Sequence, residues 1–143
     1  MKYLAVLALS VFVQEGELSA LGETEEETQL YSFAERQQQL IDMAQLLGEI
    51  HHLHQICQPY DYFPERYRDR MKELVTLEEP IAATKESMIS SFNEGFQSMK
   101  ARFDYCDSGA EAEMRDLGGQ GVILTRKLAA PFRRGVLTDP RED

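Results

Sequence analysis

Residues 87–106 read SMISSFNEGFQSMKARFDYC and set the pattern that the rest of the chain follows. Large apolar side chains recur there at intervals of three and four residues, which is the spacing of one face of an α-helix. They are Ile89, Phe92, Phe96, Met99, Phe103 and Cys106. A helical glycine costs about 1 kcal/mol relative to alanine, so we expect Gly95 to admit a neighbouring backbone. The stretch therefore predicts a core-facing helix that ends in a thiol.

Three further segments show helical periodicity: two precede the central helix and one follows it. The first carries an apolar stripe from Leu40 to Cys57, and the second is expected to run from Pro64-Glu65 to Glu79-Pro80. The last is expected to run from a Ser108/Glu111 capping box to Pro131. Thr84 is the expected N-cap of the central helix, which is the third along the chain. Four amphipathic helices with short links predict an all-α fold, a small antiparallel bundle of about four helices.

The two cysteines fit this topology. If neighbouring helices run in opposite directions, the first helix ends at Cys57 and the third at Cys106 on the same end of the bundle. The pair matches no CxxC redox motif, zinc pattern or haem motif. We therefore expect one disulfide, which would stabilise the fold by about 4 kcal/mol on the chain-entropy model. The alternative is a pair of buried free thiols in a cytosolic protein.

The N-terminus has the pattern of an export signal. Lys2 precedes an apolar run from Tyr3 to Val13, which is too short for a membrane-spanning helix of about 20 residues. The alternatives are an uncleaved anchor and a buried N-terminal segment. The expected organisation is a signal peptide or apolar segment at 1–20, an acidic spacer at 21–29, a helical bundle at 30–130 and a flexible tail at 131–143.

The charge restricts the partners. Acidic residues outnumber basic ones 25 to 15, and the formal net charge of −10 disfavours both nucleic acid and anionic membrane surfaces. We expect membrane contact only through an uncleaved N-terminal segment. The partners that this charge leaves open are a protein of the cell envelope and a second copy of the chain, bound through the apolar stripes.

All three histidines lie together, at positions 51, 52 and 54. A divalent metal site formed by His51, His54 and Glu49 is one hypothesis, although the ligand set lacks a second Glu-x-x-His motif on a facing helix. The other interpretation places His54 half-buried against the core and leaves His51 at the edge and His52 on the surface. No cofactor is expected. The glycine run at 118–121 lacks the strand and lysine of a phosphate-binding loop, so it predicts close helix packing or a kink.

Aromatic residues cluster in and after the turn that follows Cys57. Tyr60, Tyr62, Phe63 and Tyr67 alternate with charged residues, as aromatic residues often do at protein interfaces. We regard them as a candidate partner surface. The alternative is that these rings only cover the end of the bundle.

Several short segments resemble a small alphaproteobacterial family of exported proteins of unknown function. They are Leu47-Gly48-Glu49-Ile50-His51-His52-Leu53 with Cys57, Arg68-Asp69-Arg70-Met71 with Glu79-Pro80, and the F-N-x-G-[YF] motif Phe92-Asn93-Glu94-Gly95-Phe96 with Tyr105-Cys106. The similarity covers about 40–128, and Tyr67 stands where the family pattern has tryptophan. The resemblance implies export and a disulfide between the two cysteines, and it supplies no catalytic residue.

Together these patterns predict an exported, periplasmic binding or scaffold protein of the cell envelope, without an evident catalytic residue. The alternative is a metal-binding protein or metal-dependent enzyme that uses His51 and His54. A cytosolic helical adaptor is the third hypothesis.

Overall fold

The computed structural model describes the backbone of residues 20–136 and the side chains of residues 32–132. This part of the chain folds into four α-helices and contains no strand. The helices are α1 (Ala20–Cys57), α2 (Arg66–Glu78), α3 (Ala82–Arg102) and α4 (Ser108–Val136). The predicted all-α bundle with one disulfide is confirmed.

The chain divides into two units, residues 1–32 and 33–143. Of the first unit, the structure describes the helical backbone of residues 20–32. This segment contains the predicted acidic spacer, which is helical, in agreement with the preference of acidic side chains for the first turns of a helix. The predicted signal segment before Ala20 and the last part of the predicted tail, 137–143, lie outside the described residues.

The caps of α3 and α4 differ from the sequence prediction. Asp107, not Ser108, caps α4, because its Oδ1 accepts a hydrogen bond from the Ala110 amide at 2.8 Å. Thr84 is a buried residue one turn inside α3, whose N-cap is Ile81. α2 ends where predicted, with Glu79 in the left-handed conformation at φ 43° as its C-cap.

Pro131 does not end α4, contrary to the prediction, and the helix continues to Val136. A proline inside a helix leaves the carbonyl four residues earlier without its donor and costs about 3 kcal/mol. The carbonyl affected is that of Lys127. Arg36 of α1 contacts the next carbonyl of the same turn, since its Nη1 donates to the Leu128 carbonyl at 2.9 Å. The Arg36 guanidinium also lies 5.1 Å from the centre of the Phe132 ring.

Arg36 joins three helices through the same side chain. Its Nη2 donates to both carboxylate oxygens of Glu78, at 2.9 and 2.6 Å, and thereby connects α1 to the end of α2. Both side chains are largely buried, with about one fifth of their surface exposed. A bidentate ion pair in this setting is stronger than an exposed one, so Arg36 fixes the end of the bundle opposite the disulfide.

The core lies between α1 and the other three helices. Its fully buried members include Leu40, Leu53, Met88 and Ala110, with Met99 and Leu117 almost as well covered. On α3 the buried residues are Thr84, Met88, Phe92, Gly95 and Met99. The predicted stripe is therefore rotated, and Ile89 is about half exposed.

Two glycines explain this rotation, because they let α1 and α3 cross with their backbones in contact. A Cβ atom on Gly95 would overlap the carbonyl oxygen of Gln45, and one on Gly48 would overlap the carbonyl oxygen of Phe92. The close approach expected at Gly95 is thus present, and Gly48 supplies its counterpart on α1. Since Gly95 itself faces α1, Ile89 turns towards solvent.

The glycine run in α4 has a different environment. Gly118 and Gly119 are exposed, and a Cβ atom on either would meet nothing within 4 Å. A Cβ atom on Gly121 would lie 3.4 Å from Cδ2 of Leu46, an ordinary contact distance. Close packing within the described residues therefore involves only the last glycine of the run.

We expect opposite effects from alanine at these two kinds of glycine. Gly95→Ala should lower the free energy of unfolding by about 2 kcal/mol or more, because the new methyl group forces α1 and α3 apart. Gly118→Ala, the matched control, should raise it by about 0.5–1 kcal/mol through helix propensity. Urea denaturation followed by circular dichroism measures both. Equal effects at both positions would contradict the close crossing.

Candidate functional site

A disulfide joins the end of α1 to the α3–α4 loop at one end of the bundle. Cys57, the last residue of α1, bonds to Cys106 in the loop between α3 and α4, with the two Cα atoms 4.9 Å apart. The pairing predicted from topology is present in the structure. Because α3 ends at Arg102, the bond holds the α3–α4 loop rather than the helix itself.

His52 provides a second connection between the same two elements. Its Nε2 donates a hydrogen bond to the carbonyl oxygen of Phe103 at 2.8 Å, which places the proton on Nε2. The Phe96 ring packs edge-on against the imidazole, with the centroids 5.4 Å apart. The prediction that His52 faces solvent is wrong, because α3 and its C-terminal residue cover it.

His51 is also buried, where the sequence placed it at the edge of the core. Its side chain has no exposed surface and lies between Phe92 and Phe96, with ring centroids 5.8 and 5.6 Å away. The Gln55 amide approaches its Nε2 at 3.4 Å, and the nearest carboxylate oxygen, on Glu65, is 3.9 Å away. Burial lowers the pKa of His51, and the negative charge of Glu65 offsets this only in part.

His54 fixes the turn that follows α1. Its Nε2 donates to Oδ2 of Asp61 at 2.7 Å, and its ring packs edge-on against Tyr67. Oδ1 of Asp61 also accepts a hydrogen bond from the Phe63 amide at 3.2 Å, and its Oδ2 forms an ion pair with Arg66 at 3.0 Å. These contacts lower the pKa of Asp61, the Phe63 amide being the largest cause and the His54 hydrogen bond the next favourable one. The carboxylate is therefore ionised and braces the turn.

The predicted metal ligands do not converge. His54 contacts Asp61, His51 faces two phenylalanine rings, and Glu49 accepts a hydrogen bond from Gln45 at 3.1 Å. Among the described residues, no group of three histidine, cysteine or acidic side chains is placed to bind a metal ion. The histidines instead connect α1 to its neighbours as buried hydrogen-bonding and packing residues.

Aromatic rings project from this end of the molecule. Tyr60 is 98% exposed and Tyr62 is 91% exposed, and Phe63 has 62% of its surface in solvent. Tyr105 of the α3–α4 loop is 69% exposed as well. It precedes Cys106, so the disulfide places it at the same end as the other three. We call Tyr60, Tyr62, Phe63 and Tyr105 the aromatic end.

The aromatic end differs from the predicted partner surface at two positions. Tyr67 is half-buried and packs against the core and His54, so it belongs to the interior. Tyr105 was not predicted, although its position next to a disulfide-forming cysteine was a usable signal. Tyr60, Tyr62 and Phe63 are exposed, and their role as a partner surface stays a prediction.

The turn that carries three of these rings is held in place by hydrogen bonds. The Asp61 amide donates to the Gln58 carbonyl at 3.0 Å, and the Arg66 amide donates to the Phe63 carbonyl at 3.1 Å. The rings of Tyr62 and Phe63 also contact each other, with centroids 5.8 Å apart. Tyr60, Tyr62 and Phe63 therefore extend from a hydrogen-bonded turn that follows α1 directly, and the disulfide ties the loop that carries Tyr105 to the end of α1.

We expect His51 to make the fold sensitive to mild acid. In the unfolded chain its pKa is near 6.5, whereas burial lowers the pKa in the folded chain. The unfolded state then binds more protons between these two values, so the stability contribution is complete above about pH 6.5 and decreases as the pH falls. The free energy of unfolding should fall more steeply between pH 7.5 and 5 in the wild type than in His51→Gln.

The quantity to compare is the slope of the free energy of unfolding against pH. The absolute free energy is less informative, because a substitution in this contact can also reduce packing. One titrating group contributes at most about 1.4 kcal/mol per pH unit. Phe92→Leu is the matched control, since it weakens the same contact without removing the imidazole and should keep the wild-type slope. An unchanged slope in His51→Gln would show that burial of this ring does not set the pH dependence.

Comparison with known proteins gives a family but no function. No curated protein matches the chain, and no solved structure does. Within the described residues, no helix is both long enough and apolar enough to span a membrane. Residues 36–132, which include all three histidines and both cysteines, match the profile described as "Protein of unknown function (DUF2385)". The match covers more than half of the chain, so this protein belongs to the DUF2385 family.

Proposed function

We propose that this protein is an exported, periplasmic binding or scaffold protein of the cell envelope, and that it binds a protein partner through the aromatic end. The observation that carries the proposal is the exposure of four aromatic rings at one end of the bundle. Three lie on the turn after α1, and the fourth lies on the α3–α4 loop, which a disulfide ties to the last residue of α1. Aromatic residues are enriched at protein interfaces, and they dominate the residues whose truncation weakens binding.

The energetic argument concerns the cost of exposure. Covering a large apolar side chain is worth about 1.5–3 kcal/mol, so several rings left in water represent free energy that a partner can recover. Tyrosine suits such a surface because its ring is apolar and its hydroxyl remains hydrated. A partner that covers Tyr60 and Tyr62 gains the most, since these two are the most exposed rings of the set.

The rigidity of the support adds to this argument. Binding loses free energy when it must immobilise loops and side chains. The turn after α1 is already fixed by Asp61 and its contact with His54, and the disulfide holds the α3–α4 loop that carries Tyr105. A partner would therefore order little more than the aromatic side chains themselves.

Neighbouring charges would form the rim of the interface. Arg66 pairs with Asp61, Arg68 pairs with Glu65 at 2.8 Å, and Arg102 pairs with Glu113 at the same distance. Because these charges have partners already, they require little compensation from the bound protein. The aromatic end therefore suits apolar contact surrounded by neutralised polar groups.

Two features support the proposed location. A structural disulfide is typical of oxidising compartments outside the cytoplasm, and the described residues contain no free cysteine. The apolar run from Tyr3 to Val13 is typical of an export signal. The periplasm satisfies both.

A photo-crosslinking amino acid at position 60 or 62 tests the binding proposal in cells. We expect a discrete adduct at both positions and none at the control position 86, which is an exposed residue of α3. The adduct partner, once purified, should bind the wild type, and binding should weaken by about tenfold or more in Tyr60→Ser/Tyr62→Ser.

Ile89→Ser is the matched control for that variant, since it removes an exposed apolar side chain from another surface. It should bind the partner as the wild type does. No adduct at 60 and 62, or the same adduct at 86, would reject the aromatic end as the binding surface.

Export is tested separately. Residues 1–25 fused to a reporter that is active only outside the cytoplasm should give activity, and replacement of Leu7 and Leu9 by arginine should abolish it. Mass spectrometry after alkylation of native protein should find Cys57 and Cys106 protected unless a reductant is added. Free thiols in native material, together with an inactive fusion, would favour the cytosolic adaptor.

A further inference from the structure

A groove between α1 and α4 carries carboxylates on one side. Glu35, Asp42 and Glu49 follow one another at intervals of seven residues along α1, which places them on one face about 21 Å long. Asp42 and Glu49 line the groove itself. Within residues 32–132, each of the three accepts a side-chain hydrogen bond from a glutamine one turn away: Gln39, Gln38 and Gln45, respectively. No cation of the described residues lies within ion-pair distance of any of them.

The outer face of α4 carries cations that also lack partners. Arg115, Arg126 and Lys127 are exposed, and in the described part of the chain no carboxylate lies within 4 Å of them. α2 behaves differently, because each of its basic side chains is paired. The pairs are Arg66–Asp61, Arg68–Glu65, Arg70–Glu73 and Lys72–Asp69. Among the described residues, α4 therefore differs from α2: it carries three exposed cations without an ion-pair partner, in a chain with ten more acidic than basic residues.

Apolar surface lies between these cations. Val122 and Ile123 are 50% and 54% exposed, and Ile123 lines the groove beside the carboxylates of α1. Arg115, Val122 and Arg126 share a helical face, at intervals of seven and four residues. The basic row from Arg115 to Arg126 is about 16 Å long, comparable to the acidic row of α1.

We propose that this surface, the α1–α4 face, is an isologous interface between two copies of the chain. A two-fold interface requires one patch that is complementary to itself. The acidic row of α1 in one copy would then contact the basic row of α4 in the other, and the same pairing would repeat across the axis. Val122 and Ile123 would lie between the two charged rows. Direct pairing of α4 with α4 would oppose arginines and is disfavoured.

The net charge sets how such a dimer must respond to salt. Two chains of charge −10 repel each other, and association driven by apolar contact alone would therefore strengthen as salt screens the repulsion. Complementary rows in contact act in the opposite direction, because salt weakens their attraction. The sign of the salt dependence thus separates a charge-matched interface from simple hydrophobic association.

Analytical ultracentrifugation of the full chain tests the proposal. We expect a dimer that weakens by about tenfold or more between about 50 and 500 mM NaCl. Arg126→Glu and Asp42→Lys should each weaken it by about tenfold, and the double variant should recover part of the loss because both rows are then reversed. Lys85→Glu is the matched control: it makes the same change in charge at an unpaired lysine of α3 and should leave the dimer unchanged.

Gly119→Gln separates an interface from a free surface. Gly119 lies on the same helical face, and a side chain there meets nothing in the single chain. Glutamine should therefore stabilise the monomer through helix propensity while weakening the dimer by steric exclusion. A chain that is monomeric at all accessible concentrations, or a dimer that strengthens with salt, would overturn the proposal. So would equal effects of Lys85→Glu and Arg126→Glu. The outcome does not depend on the aromatic end.

Discussion

The backbone contact between α1 and α3 is the constraint on which the rest of the structure depends. Because Gly48 and Gly95 place no side chain between these helices, the aromatic rings of α3 reach the histidines of α1. The same proximity brings the end of α3 to the end of α1. Phe103 can then accept the hydrogen bond of His52, and a short loop can carry Cys106 to Cys57. The disulfide and the hydrogen bond between His52 and Phe103 therefore depend on the close packing at Gly48 and Gly95, about two helical turns earlier in each helix.

The exposed rings at the same end are carried by a turn that a buried histidine holds. The His54 ring is buried and packs edge-on against half-buried Tyr67, while His51 and His52 pack against rings of α3. His54 also holds Asp61, and Asp61 holds the turn, so a residue that looked like a metal ligand positions the surface residues instead. The buried histidines therefore support the proposed binding surface without contacting a partner themselves.

Sequence periodicity was sufficient for the four helices and for the pairing of the cysteines, because both depend on spacing along the chain. Periodicity was insufficient wherever contact with an element distant in sequence determines whether a residue is helical or buried. Pro131 stays helical beside Arg36, which lies almost a hundred residues away, and His52 is buried by residues that follow α3. A helical wheel shows which residues share a face, but not which neighbour covers that face. Ile89 and Tyr67 were misplaced for the same reason.

The two proposed surfaces have different chemistry because they are built on different parts of the fold. The aromatic end lies on loops tied by the disulfide, whereas the α1–α4 face runs along two helices. A two-fold dimer through the helices would leave the aromatic end of each copy unoccupied. It would then present two identical binding surfaces, and a partner with two sites, or an array of partners, would be bound with an avidity that a single copy lacks. In this proposed arrangement the dimer would act as a bivalent scaffold, and the rigid helices between the two aromatic ends would set the spacing of the binding sites.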